Sequence, residues 1–97
     1  ENKTEALRFL CNEHNIDASS IAYMGDDLND LGALSLVGLP MAPKNAAPEV
    51  KERAQFISTC DGGYGAVRDA VEYILKAQGK WDSVVQDYAM EAHEHGQ

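Results

Sequence analysis

Leu7, Leu10, Cys11 and His14 fall at i, i+3, i+4 and i+7, the spacing of one helix face, and predict a helix from Thr4 to about His14. Thr4 is the expected N-cap and Asn15 the expected stop. A polar link follows, then Ile21–Met24, a short strand apolar on both faces, as in a buried parallel sheet. Leu28, Leu31 and Leu34 return to helical spacing, predicting a helix from just after Asp26 to about Ser35. Val37–Ala42 reads as a second strand; Pro40 has no N–H to give a ladder, which predicts an edge or a break there. Residues 43–47 form a loop, Pro48 opens a short helix through Ala54, and Gln55–Ser58 is a third strand. The glycine-rich turn Asp61–Gly65 opens a helix with Val67, Ala70, Val71, Ile74 and Leu75 in register, ended by Gly79. A last helix carries Trp81, Val84, Val85, Tyr88 and Ala92 on one stripe, and the polar tail Glu91–Gln97 is expected to fray.

Alternating strands and helices predict an α/β fold, a parallel sheet with flanking helices and right-handed crossovers. Only three strands are visible, and the first has the composition of a central strand, so an uncovered edge there is an aggregation liability. The chain opens on Glu1-Asn2-Lys3, without an initiator methionine, and enters a helix at once. The expectation is therefore one partial domain over residues 1–97, with 80–97 as a C-terminal helix and tail. Sequence preceding Glu1, a partner chain, or both would cover the open strand.

Composition narrows the function. With 97 residues, 44% of them hydrophobic and 25% charged, the chain is an ordinary globular domain. A net charge of −8 argues against nucleic acid as a partner, since phosphate backbones are bound by basic surfaces. Cys11 and Cys60 are far apart and lack metal-ligand spacing, which reads as reduced thiols. No apolar run approaches the roughly 20 residues of a membrane span and no signal peptide is visible, so a cytoplasmic protein without membrane association is expected.

The chemistry concentrates at Gly25-Asp26-Asp27-Leu28-Asn29-Asp30, where a strand stops at a glycine and three carboxylates fall within five positions. In an open α/β sheet, ligands bind past the carboxyl ends of the strands. Carboxylates packed this closely repel one another unless a cation joins them, and Mg²⁺ takes one or two of them with water and phosphate completing its octahedron. An EF-hand is excluded, because Leu31 stands where a third ligand is needed. A capped helix start, in which Asp and Asn merely satisfy N–H groups, remains open. A phospho-accepting receiver domain fits less well, because the order here is Pro43-Lys44 rather than Lys-Pro.

Together with Lys3, the run Asn45-Ala46-Ala47-Pro48-Glu49-Val50-Lys51, Ala54, and Gly62-Gly63-Tyr64-Gly65-Ala66-Val67-Arg68-Asp69, this stretch resembles the C-terminal half of haloacid dehalogenase superfamily phosphatases. Among these the chain is most similar to the phosphatases of 3-deoxy-D-manno-octulosonate 8-phosphate and related sugar acids. The resemblance implies a Rossmann-like sheet, a Mg²⁺-dependent aspartyl-phosphate mechanism, a phosphorylated sugar acid as substrate, a role in lipopolysaccharide biosynthesis, and homotetramers. It places Asp26 and Asp27 at the metal, with Asp30 behind them. Lys3 would steady the attacking carboxylate and the phosphoryl oxygens, so Lys3 and Asp30 are the catalytic candidates. Asn29, Asn45 and Arg68 are the substrate-binding candidates, against an ordinary turn role for Asn45 and an ion pair with Asp69 or Glu72 for Arg68. Tyr64 stands where the family often carries an arginine. The family's nucleophile lies in an Asp-x-Asp triad, and none occurs here, so the chain alone is expected to be inactive. The same resemblance leaves an alternative: a non-catalytic C-terminal domain of an acylneuraminate cytidylyltransferase, serving oligomerisation.

Overall fold

A computed structural model describes the backbone of residues 2–94 and the side chains of residues 2–91. Three parallel strands, β1 (Ala22–Met24), β2 (Leu39–Ala42) and β3 (Phe56–Ile57), form a sheet in the order β1-β2-β3. Tyr23 pairs with Pro40, and Met41 with Phe56. Helices α1 (Lys3–His14), α2 (Leu31–Leu36), α3 (Pro48–Arg53), α4 (Ala66–Ala77) and α5 (Trp81–Glu94) complete the α/β fold.

Two small cores hold the sheet. Leu34, Ala42, Ala46 and Val50 form one, between α2, α3 and β2; Leu7, Ala33 and Val37 form the other, where α1 meets α2. Tyr23 packs against both. The close approach of α1 to α2 depends on Gly32, where a Cβ would collide with the Thr4 hydroxyl.

Several predicted details change. Asn2, not Thr4, caps α1, its side chain accepting from the Glu5 amide; Thr4 is inside the helix. Asn15 does end α1, in the left-handed conformation at φ 54°. Residues Ala18–Ser20 form a 3₁₀ turn that the apolar pattern does not signal, and Leu28–Asp30 form another before α2 begins. Strands β2 and β3 are shorter than the predicted Val37–Ala42 and Gln55–Ser58.

Pro40 is neither at an edge nor at a break, but in the middle strand. Leu39 donates to Ile21 and Met41 accepts from Gly25, so those residues face β1, while Pro40 accepts from Gln55 on the other side. The nitrogen of Pro40 thus faces the chain before β3 begins, where no ladder bond is lost. β1 is the outer strand of the described sheet, with Ala22 exposed and Tyr23 and Met24 half-buried.

The predicted fraying does not hold for Glu91–Glu94, which continue α5. The side chain of Ala92 and residues 95–97 lie outside the described residues.

Candidate active site

β1 delivers the chain to Gly25, whose amide still bonds to Met41 at 3.0 Å before the backbone turns away. The next residues fold around one carboxylate. Asp30 Oδ2 accepts from the backbone amides of Asp26 (2.9 Å) and Asp27 (3.2 Å). Its Oδ1 accepts from Lys3 Nζ and from the Tyr23 hydroxyl, each at 2.9 Å. Asp30 is 2% exposed, and a buried carboxylate is tolerable only with such partners. Gly25 is what lets it lie there, since a Cβ at that position would come within 2.6 Å of the Asp30 Cβ. Asp27 caps the following turn, accepting from the Leu28 amide at 2.7 Å. The bland reading of the acid run as a helix cap is therefore correct for part of it: Asp27 and Asp30 make a capping box. It does not account for the arrival of Lys3 from 27 residues away.

The electrostatics follow from these bonds. Burial pushes the Asp30 carboxyl up, but Lys3, the two amides and Tyr23 outweigh it and hold the pKa at about 2. The bond to Asp30 raises Lys3, keeping it an ammonium, and the field of Asp26 acts in the same direction. Burial, then the bond to Asp30, raises the Tyr23 phenol, which stays a neutral donor.

Three loops meet at the carboxyl end of the sheet. The Asp26 carbonyl accepts from the Ala47 amide at 2.9 Å, and Lys44 donates to the Cys60 carbonyl at 2.9 Å. Asn45 Oδ1 accepts from the Gly62 amide at 2.9 Å. The structure thus brings Lys3, Asp26, Asp27 and Asp30 together, with Asn29 exposed on the same turn. Asn45 joins them across the loops with its acceptor already used in a turn role. Arg68 is in the first turn of α4 and lines an open groove of about 630 Å³ with Val71, Leu75, Trp81, Val84, Val85 and Tyr88. Neither expected partner pairs with it: Asp69 accepts from Ser58 and Glu72 pairs with Lys76.

Tyr23 and the Ser58–Asp69 pair were not singled out from the sequence. Ser58 is 2% exposed, donates to Asp69 at 2.6 Å and accepts from the Cys60 amide at 2.9 Å. Their separations, 7 residues for Tyr23–Asp30 and 11 for Ser58–Asp69, match no local motif. A hydroxyl at or next to a strand end, followed by an acid at the next helix, is the only signal.

Among the described residues no three His, Cys, Asp or Glu side chains converge into a metal cage. The donor chemistry nevertheless suits Mg²⁺. Asp26 and Asp27 present exposed oxygens on one turn, and this ion asks for one or two carboxylates and keeps its waters. Asp30 is not a candidate ligand, because both its oxygens are occupied.

Residues 1–71 match the family model of haloacid dehalogenase-like hydrolases, and the chain belongs to that family. It is 40% identical over 81 residues to the 3-deoxy-D-manno-octulosonate 8-phosphate phosphatase KdsC of Escherichia coli K12, covering 84% of this chain and 43% of that protein. The corresponding phosphatase of Moraxella catarrhalis, solved with magnesium, phosphate and the sugar acid KDO, superposes with a TM-score of 0.86 at 37% identity. That match covers 90% of this chain and 50% of that one. A hypothetical protein of Xanthomonas campestris gives 0.83 at 44% identity, over 91% and 48% of the two chains. The chain spans about half the length of the relatives it matches.

Proposed function

We propose that these residues form the cation- and phosphate-holding side of a Mg²⁺-dependent phosphatase acting on a phosphorylated sugar acid of the 3-deoxy-D-manno-octulosonate 8-phosphate type. One observation carries the reading: Asp30 joins Lys3 through one oxygen and the Asp26 amide through the other, so a cation and an exposed carboxylate face the same end of the sheet. Asp26, with Asp27 beside it, would hold the metal. When bound, Mg²⁺ would neutralise phosphoryl oxygens and orient the ester. Lys3 keeps donors to spare after its bond to Asp30 and offers them to an anionic oxygen. Asp30 holds the loop and the lysine at fixed separation, which is most of what phosphoryl transfer asks of a protein. Asn29 and the amide group of Asn45 would contact substrate, and Arg68 would meet an anionic group further out. The attacking carboxylate that the family draws from an Asp-x-Asp triad is not among these 97 residues.

A cytoplasmic homo-oligomer, a tetramer in the fullest form, belongs to the same reading; among the described residues no helix is long and apolar enough to cross a membrane. The Lys3–Asp30 pair favours this reading over a purely oligomerising domain, which has no use for a lysine held beside an acid turn. The test is hydrolysis of 3-deoxy-D-manno-octulosonate 8-phosphate by a protein that joins this chain to an attacking carboxylate, since the 97 residues alone are expected to be inactive. Activity should appear with Mg²⁺, vanish with EDTA, and fall at least about a hundredfold in Asp26→Asn. Full activity in EDTA, or an unimpaired Asp26→Asn variant, would sink it.

A further inference from the structure

The geometry points to Tyr23 as a positioning residue for Lys3, acting through the oxygen of Asp30 that the two side chains share; the inference rests on the phosphatase reading. Both donors reach Oδ1 at 2.9 Å, the phenol from β1 and the ammonium from the first residue of α1. The other oxygen is taken by two backbone amides. The amides fix the carboxylate to its own loop, and among the described residues the phenol is the donor that fixes it to the sheet. Among the described residues Tyr23 is also the one packed against both core clusters, so its ring has little freedom to follow a moving partner. It therefore relates the lysine to the rigid sheet rather than to a loop.

Sharing has a second effect. An oxygen that accepts two donors holds each less tightly than it would hold one. The phenol thus moderates the grip of Asp30 on Lys3, whose side chain is 32% exposed and has further N–H donors to give. Lys3 and Tyr23 line the same groove beside Ala6, Leu7, Leu10 and Ile21. Within it the hydroxyl and the ammonium are held by one acceptor against otherwise apolar walls. A phenylalanine would fill the same space and satisfy both cores, so the hydroxyl serves the lysine and not the packing.

Tyr23→Phe separates these roles, because it keeps the ring. In the native protein its kcat for phosphate ester hydrolysis should fall about tenfold, the factor that loss of one hydrogen bond to a charged group corresponds to, with KM within about twofold. An unchanged kcat in a folded variant overturns the inference while leaving the phosphatase reading intact. A wild-type protein that carries this chain with an attacking carboxylate and still shows no Mg²⁺-dependent activity overturns that reading instead, and the inference is then judged by an unfolding cycle with Lys3→Met. Two donors sharing one acceptor are each partly replaced by the other, so the double variant should lose at least about threefold more in unfolding constant than the product of the single losses. Simple multiplication of the two losses overturns it.

Discussion

Two loops leave the same end of the sheet, after β1 and after β3, and each is closed by a carboxylate from beyond it. They solve the problem differently. Asp30 accepts four hydrogen bonds, two of them from its own loop's backbone, and the glycine beneath it leaves no room for anything larger. Asp69 accepts from Ser58, which in turn accepts from the Cys60 amide, and Asn45 ties down the glycine-rich turn that follows from across the loops. Gly63 and Gly65 sit at φ 82° and 104°, and Tyr64 is 82% exposed. The first loop is a fixed frame, suited to a cation whose ligand distances tolerate little variation. The second is fastened at its base and open at its tip, with Tyr64 exposed there. The lesson is that one end of a sheet can carry a rigid loop and an adaptable one side by side.

The hardest test of that division is Asp30→Ala. It leaves the half-exposed Lys3, a phenol and two amides without their shared acceptor, so a loss of about 2–3 kcal/mol is expected in urea unfolding. A loss under about 1 kcal/mol would show that the first loop is not a frame. Acid probes the same group. Its folded pKa, about 2, lies below the ordinary 3.8, so the stability it contributes is complete above about pH 5 and is lost as pH falls through 4 towards 2. The amount is about 2 kcal/mol, and Asp30→Asn should remove this part of the acid sensitivity. Ser58→Ala should cost about 1–2 kcal/mol, because it leaves the Asp69 carboxylate and the Cys60 amide without their partner. Hydrogen exchange should quicken at residues 60–65 and stay unchanged at 25–30. Arg68→Ala should shift stability by less than about 0.5 kcal/mol while raising KM for the sugar-acid phosphate several-fold. An unchanged KM would remove Arg68 from recognition.

The sequence announced most of this frame and little of how it is fastened. Apolar spacing located α1 and α4, Asn15 and Pro48 marked a helix end and a helix start, and Gly25–Asp30 stood out by charge density. What escaped were properties of register and of distance along the chain. Whether Pro40 harms a strand depends on which neighbour its nitrogen faces, and that is decided only when β2 and β3 align. Asn2 and Thr4 are both good caps by type; the contact with Gly32 uses Thr4 in packing and leaves Asn2 to cap. Tyr23 reads as one more apolar strand residue until Asp30 folds back beneath Gly25, and Ser58 and Asp69 meet only once α4 is placed against β3.

Lys3 is the first residue of α1, and the start of a helix is where unpaired backbone N–H groups already make the field positive. An ammonium is an unsuitable neighbour for that end, and the carboxylate of Asp30 is what reconciles them. The opening turn of α1 is thus stapled to the acid loop by a charge it would otherwise repel. When acid neutralises Asp30, unwinding should begin at Lys3, so that the integrity of a helix terminus and the shape of the acid loop hang on a single proton.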